Sequence, residues 1–418
     1  MKRELTFRRE VRLRSLSAVA LALILSGTGS ARASERDEKE PSTSVVYVES
    51  NLPDNNSVLA FRRDDDGRLS KIGEFPTGGK GVFDPSLQLG PFDSDQELVT
   101  NAEHTLLFAV NPGSDSIAVF QIQQDGSLTP VNGSPFSSGG TNPVSVGVAG
   151  NTLVVVNKAF DPVRPALKIP SYSSFRILPN GELSSQLSSV PAPTKSSPSQ
   201  ADISSDTRLA FDAQFLGGFL QSFVIEPDGT LTASDHLAAP ASLPGSKAAP
   251  LPLGLATHPK LPILYVDFVT VSKIGVYRYD SAGHLEFVTS AADSGAAPCW
   301  TRMNSDGTRL YASNTGDTSI SVFDTTSPLD PEEIQHLKLR GQGNTFEIEL
   351  DPTGNFLYAI TQRASATTAL GQGNTLHVLR VDRETGKVDE DESPLEIKVP
   401  NGVRPQGVAV VEVISDSR

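Results

Sequence analysis

The chain has 418 residues, a formal net charge of −14 and 38% hydrophobic residues, which is the balance of an ordinary soluble globular protein. The acidic charge argues against non-specific nucleic-acid binding, and a single cysteine excludes an intrachain disulfide and a cysteine zinc site. The 34 glycines and 30 prolines indicate many turns.

Residues 1–33 have the pattern of a secretory signal peptide. A basic start is followed by the short apolar stretch 16–25, and Ala31-Arg32-Ala33 fits a cleavage site of the A-x-A type. Arg8-Arg9 leaves twin-arginine export open beside general secretion, and a retained N-terminal anchor is the alternative to cleavage. We therefore expect an exported protein, periplasmic or extracellular. The mature form should have a disordered linker at 34–44 and no membrane span.

The body of the chain, residues 45–412, repeats one strand pattern seven times. The copies share a short β-branched or aromatic run, and they start near residues 45, 105, 152, 207, 261, 308 and 355. A second, partly alternating strand follows most of them after a polar turn. Units of this length fit one four-stranded sheet each.

Most units also contain a tight turn that ends in glycine, with an apolar residue two places later. Asp66-Gly67, Asp125-Gly126 and Asn180-Gly181 are examples, and such pairs suit hairpin turns because both residues tolerate positive φ. Unit six lacks this turn and has the irregular segment 328–333 in its place.

A third kind of strand, small and mixed in polarity, precedes each first strand, and its seventh copy lies at 407–412. Pairing of this copy with the blade that begins at Val45 would close a ring and hide the edges of an open array. We therefore predict an all-β, seven-bladed β-propeller with four-stranded antiparallel blades and a tail at 413–418. A β-sandwich array or a β-solenoid is the alternative.

The segment 304–314, followed by 319–323, resembles the repeat of the lactonase-family seven-bladed propellers, which include bacterial 6-phosphogluconolactonases and carboxymuconate cyclases. The resemblance covers about 45–412. It implies the propeller fold and an activity that opens or closes lactone rings without a metal. In relatives, His, Arg and Glu side chains around the mouth of the central channel do this chemistry. The positions where relatives place His and Arg hold Ser199, Leu253, Thr315 and Phe346 in this chain.

Several polar residues lie where inner strands begin or neighbouring strands end, so the predicted ring brings them to the channel mouth. Glu347 with Arg302 and Arg404 is the candidate catalytic group, with the carboxylate as general base and the arginines stabilising an oxyanion. The other candidates, which would contact substrate, are Trp300, Gln200, Gln406, Lys158, Asp267 and Gln96. The alternative is that these residues pair with one another and fill a polar axis.

No cofactor and no metal site are expected, because no two of the six histidines have metal-ligand spacing. Two functions remain. The first is an exported lactonase-like enzyme that hydrolyses an unphosphorylated lactone or related cyclic ester. The second is a non-catalytic secreted propeller whose top face binds a protein or glycan. The expected partner is accordingly a small cyclic ester or sugar-like ligand, or an unidentified protein or glycan, and we expect a monomer that binds no nucleic acid.

Overall fold

Seven antiparallel sheets follow one another along the chain in this computed structural model, which describes residues 42–82, 94–159, 169–362, 373–400 and 403–414. The predicted signal peptide at 1–33 and most of the predicted linker lie outside the described residues. The prediction of a seven-bladed β-propeller with four-stranded antiparallel blades is confirmed.

The described residues contain thirty strands and one short 3₁₀ helix, Val269–Val271. In chain order the strands are β1 Ser42–Glu49, β2 Ser57–Arg63, β3 Leu69–Pro76, β4 Leu98–Thr100, β5 Leu106–Asn111, β6 Ser116–Ile122, β7 Leu128–Pro130, β8 Phe136–Ser137, β9 Pro143–Ala149, β10 Thr152–Asn157, β11 Ser171–Arg176, β12 Ser188–Pro191, β13 Asp202–Ile203, β14 Leu209–Gln214, β15 Phe219–Ile225, β16 Leu231–Ala238, β17 Pro252–Thr257, β18 Ile263–Phe268, β19 Lys273–Tyr279, β20 Leu285–Ala292, β21 Pro298–Met303, β22 Arg309–Asn314, β23 Ser319–Asp324, β24 Glu332–Lys338, β25 Asn344–Leu350, β26 Phe356–Gln362, β27 Thr375–Val381, β28 Val388–Asp389, β29 Leu395–Glu396 and β30 Gln406–Ile414.

Each sheet is a simple antiparallel succession from an inner strand to an outer strand. Blade 1 has the order β30-β1-β2-β3, and blades 3 to 6 are β9 to β12, β13 to β16, β17 to β20 and β21 to β24. Blades 2 and 7 have a divided outer strand, since β7 and β8 both pair with β6, and β28 and β29 both pair with β27. Apart from the 3₁₀ turn, no helix interrupts this order in the described ranges.

The C-terminal strand closes the ring. Val45 lies opposite Val411, and Tyr47 lies opposite Ala409, in the antiparallel pair of β1 with β30. The inner strands β30, β4, β9, β13, β17, β21 and β25 contact one another in turn, and β25 contacts β30 again. The predicted closure is therefore confirmed, and the inner strands surround one central axis.

Two strands of blade 1, β1 and β30, extend further than the sequence predicted. β1 begins at Ser42, inside the segment predicted as linker, and β30 continues to Ile414, inside the predicted tail. Ser42, Thr43 and Ser44 pair with residues 414, 413 and 412. Main-chain pairing extends through these polar residues because it does not depend on apolar side chains.

Tyrosine hydroxyls tie several neighbouring blades together. Tyr47 donates to the carbonyl of Gly126 at 2.9 Å, and Tyr311 donates to that of Gly386 at 3.0 Å. Tyr265 donates instead to the carbonyl of Pro328 at 2.8 Å. The irregular segment of unit six therefore supplies the acceptor that a glycine turn supplies in other blades.

Among the described residues, no helix is both long enough and apolar enough to cross a bilayer.

Candidate active site in the central channel

Three carboxyl groups from two inner-strand regions meet. Asp95 and Glu97 lie just before β4, and Glu347 lies in the middle of β25. One carboxylate oxygen from each residue lies within 4.8 Å of the others, and all three residues are buried. We call Asp95, Glu97 and Glu347 the carboxyl cluster. In the described part of the chain, this is also the group whose spacing suits a metal ion.

A β-bulge places Glu347 in this cluster. The pairing of β25 with β26 shifts register between Thr345 and Ile348, and β21 has the same kind of shift between Pro298 and Trp300. A bulge adds a residue to one strand and redirects the side chains beside it. The sequences of these strands do not show which side chains turn towards the axis.

Burial dominates the electrostatics of the carboxyl cluster. It raises the pKa of Glu347 well above its ordinary value, and the neighbouring charge of Glu97 raises this pKa further. Burial also raises the pKa of Glu97. Glu49, which is fully buried and feels the charge of Glu97, has a raised pKa for the same reason. These carboxyl groups therefore hold protons more strongly than exposed ones do.

The guanidinium group of Arg302 forms ion pairs with two acidic residues, Asp95 and Glu349. Its Nη1 and Nη2 donate to the two oxygens of Asp95 at 2.5 and 2.8 Å, and its Nε donates to Oε2 of Glu349 at 2.9 Å. This forked pairing fixes the guanidinium in place. Arg302 is thus linked to the carboxyl cluster through Asp95, and its grouping with Glu347 as a catalytic residue stays a prediction.

Arg404 lies just before β30 and is 7% exposed. Its carbonyl accepts a hydrogen bond from Nδ2 of Asn51 at 3.3 Å, which ties it to the end of β1. Three residues later, the backbone N–H of Gly407 donates to the carboxyl group of Glu347. The structure thus places Arg404 on the segment that leads into the cluster.

An apolar cluster surrounds Trp300. Leu253, Cys299 and Phe346 pack with it, and the rings of Trp300 and Phe346 meet edge to face at 5.7 Å. Trp300 is fully buried, and its Nε1 has no hydrogen-bond partner. Two positions that relatives use for His or Arg, Leu253 and Phe346, therefore form part of an apolar wall.

The other two such positions are tied to the backbone. Oγ of Ser199 lies 2.9 and 3.1 Å from the carbonyl oxygens of Ala213 and Leu253, which share its one proton as acceptors. Oγ1 of Thr315 donates to the carbonyl of Thr345 at 2.7 Å. Each of these hydroxyl groups thereby links its own blade to the backbone of the next blade.

Two residues predicted to contact substrate, Gln200 and Lys158, interact with other groups of the protein. Gln200 bridges to the next inner strand, because its Nε2 donates to the carbonyl of Leu255 at 3.0 Å and its Oε1 accepts from that residue's N–H at 2.8 Å. Lys158 is 4% exposed, and its charge lowers the pKa of Asp212, although burial raises this pKa more strongly.

The remaining predicted contacts have polar atoms without partners. Both carboxyl oxygens of Asp267 and both amide atoms of Gln406 are buried without a hydrogen bond, as is Oε1 of Gln96. Burial raises the pKa of Asp267 well above its ordinary value, and the charges of Asp293 and Asp95 add to this effect. The roles of these residues as substrate contacts stay predictions.

The sequence did not single out Asp95 and Glu97 as site residues. Glu97 follows the predicted site residue Gln96 and, like Glu347, belongs to the region where an inner strand begins. This position in the repeat is the sequence signal that could have identified Glu97. No signal identified Asp95, because its partner Arg302 lies 207 residues away.

Two cavities lie away from the axis. One, of about 770 Å³, lies between blades 2 and 3 beside Arg176, and the other, of about 340 Å³, lies beside Arg63 and Arg380. Neither includes a predicted site residue.

Comparisons with known proteins agree with this architecture. Residues 255–405 match the family described as Lactonase, 7-bladed beta-propeller, and this stretch contains Arg302, Glu347 and Arg404. The predicted resemblance to this family is thereby confirmed. No curated protein matches the sequence significantly.

Solved structures share the fold at low sequence identity. The periplasmic gluconolactonase of Pseudomonas aeruginosa is 16% identical, with a TM-score of 0.65 over 89% of this chain and 99% of that one. A candidate 6-phosphogluconolactonase of Bacteroides uniformis is 17% identical, with a TM-score of 0.65 over 88% and 99%. A Lactobacillus plantarum protein is 18% identical, with a TM-score of 0.63 over 88% and 99%. The chain therefore has a lactonase-like propeller fold.

Proposed function

We propose that this protein hydrolyses an unphosphorylated lactone or a related cyclic ester in its central channel, with Glu347 as the general base. The observation that carries the proposal is the environment of Glu347. Its Oε1 is buried without a hydrogen-bond donor, next to a second carboxyl group. A carboxyl group with a raised pKa and an oxygen that lacks a donor is suited to proton transfer.

The charge around the axis supports a substrate without a phosphate group. Asp95, Glu97, Glu347 and Asp267 are buried carboxyl groups, whereas Arg302 already pairs with two carboxylates. A phosphate would bring additional negative charge into this acidic surrounding, where low polarity strengthens repulsion. In this proposal Arg404 remains the cation that stabilises the oxyanion.

A lactone panel tests the proposal. Purified protein should open at least one unphosphorylated lactone, with gluconolactone and other sugar lactones as first members because one structural relative is a gluconolactonase. E347Q should lower kcat/KM by about 10²-fold or more, since a general base contributes that much. E384Q, on an exposed turn, is the matched control and should keep the wild-type rate. If the wild type opens no lactone of the panel, the proposed enzymatic function is wrong.

A non-catalytic binding propeller is the second candidate. It is favoured by Leu253 and Phe346, which put an apolar wall where relatives place polar catalytic residues. Arrays of glycans and of secreted proteins would test it. Saturable binding, without any lactone turnover, would favour this function over the first.

We further propose export, with cleavage after Ala33. N-terminal sequencing of the protein recovered outside the cytoplasm tests this. A mature chain that begins at Ser34 is the expected result, and an intact Met1 would contradict it.

A further inference from the structure

Glu97 and Glu347 each have one oxygen that is satisfied and one that is not. Oε1 of Glu97 accepts from Oγ of Ser94 at 2.7 Å, and Glu347 accepts from the backbone N–H of Gly407. Oε2 of Glu97 and Oε1 of Glu347 are both buried and have no donor. One carboxylate oxygen of Glu97 lies within 4.8 Å of one of Glu347. Two neighbouring carboxylate oxygens without donors can satisfy each other only if a proton lies between them.

Arg302 does not replace that proton by a direct hydrogen bond to Glu97 or Glu347. Arg302 gives its side-chain hydrogen bonds to Asp95, to Glu349 and to the carbonyl of Thr301. The negative charge of Asp95 opposes the ionisation of Glu97 and so raises its pKa, and the charge of Glu97 in turn raises the pKa of Glu49. Asp95 acts on Glu347 in the same way. Two ionised carboxylates here would repel each other in a buried site, so single protonation is favoured.

The closing strand β30 packs closely against the segment that holds Glu97. A Cβ at Gly407 would lie 2.8 Å from Cβ of Leu98 and 3.3 Å from Cβ of Glu97. Only glycine fits at position 407. This position is on β30, which lies between β25 and β4. Glu97 and Glu347 therefore flank β30 from its two neighbouring inner strands.

We infer that Glu97 is the second acid–base residue of the site, and that Glu97 and Glu347 share one proton and act as a pair. The inference rests on the proposed lactone hydrolysis. The ionised carboxylate takes a proton from water while the water oxygen forms a bond to the lactone carbonyl carbon. The bond from that carbon to the ring oxygen then breaks, and the neighbouring carboxylic acid gives its proton to the ring oxygen. The pair ends with one proton, as it began, and the product is the open hydroxy acid.

Infrared titration tests the shared proton without any substrate. At neutral pH the wild type should show the C=O stretch of the carboxyl group with the shared proton, in addition to the bands of other buried carboxyl groups with raised pKa values, such as Glu49 and Asp267. That band should disappear in both E97Q and E347Q, because the glutamine amide then donates to the remaining carboxylate. It should persist in E384Q, whose exposed side chain lies outside the site. A wild-type-minus-variant difference spectrum without a lost C=O band for E97Q or for E347Q would overturn the pair, as would loss of the wild-type band on addition of calcium.

Kinetics on an opened lactone test the acid–base role. E97Q should lower kcat by about 10²-fold or more and remove one limb of the pH–rate profile, because one of the two proton carriers is gone. Wild-type kcat in E97Q would overturn the assignment of Glu97. If E97Q does not fold, E97D replaces it: a shared proton should give a C=O band of shifted frequency, and an unshifted band would overturn the pair. If the band behaves as expected but the wild type opens no lactone, the proposed function fails and the shared proton stands.

Discussion

Arg302 and Asp95, which lie 207 residues apart in sequence, form a two-bond ion pair inside the ring. The side chain of Arg302 is 14% exposed and that of Asp95 is fully buried. The pair joins β21 to the segment before β4, which belong to blades that are not neighbours. It is therefore a direct bridge across the channel.

Removal of the arginine should destabilise the fold. R302Q leaves Asp95 buried without its cation, and we expect the free energy of unfolding to fall by about 3–5 kcal/mol. Urea denaturation followed by the emission of Trp300 measures this. D95N in the R302Q background should recover part of the loss, because it removes the uncompensated charge. Equal unfolding midpoints for R302Q and wild type would show that the bridge does not stabilise the ring.

The hydroxyl of Tyr47 should contribute to stability, whereas that of Tyr277 should not. Tyr47 donates to Gly126 in the next blade, while the hydroxyl of Tyr277 is buried without a partner. We expect Y47F to lose about 1 kcal/mol and Y277F to be neutral or stabilising. Both variants lose the same atom, so thermal unfolding compares them directly. A larger loss in Y277F than in Y47F would refute the role of the link between blades.

Ring closure should be sensitive to Gly407. Its φ is +68°, and a Cβ there would lie 2.8 Å from Cβ of Leu98. Gly150, with a φ of +57° and nothing within 4 Å of its Cβ position, is the matched control for backbone strain alone. G407A should lower the free energy of unfolding by about 1–3 kcal/mol more than G150A. Equal losses would mean that the inner strands have room for the methyl group.

Stability should decrease as pH rises towards neutrality. Burial raises the pKa of Asp202 to about 7, whereas the unfolded chain has a value near 4. The folded state then holds a proton that the unfolded state has lost. The contribution of Asp202 is thus fully present below about pH 4 and is lost as the pH rises through about 7.

D202N should flatten this decline, because asparagine does not titrate. Urea midpoints between these two pH values measure the slope. Asp228 is exposed and its pKa is lowered, first by the hydroxyl of Thr230, so D228N should keep the wild-type slope in this range. An unchanged slope in D202N would show that Asp202 is not the buried group that titrates.

Glu347 and Arg302 show most clearly which features of the candidate site the sequence predicted and which it did not. Both were predicted to reach the channel, and both lie on inner strands. The sequence placed them in one candidate catalytic group, and the structure pairs Arg302 with Asp95 and places Glu347 beside Glu97. Bulges at the starts of β21 and β25 change the direction of side chains there, and strand periodicity does not encode such changes.

By itself, the sequence determined the number of blades, their strand order and the closure by 407–412, because repeated strands and glycine turns are local patterns written into each unit. Tertiary structure alone decided which charged groups meet at the axis. Those contacts join blades that are far apart in the chain, and their partners depend on the register and bulges of strands that converge only in the closed ring.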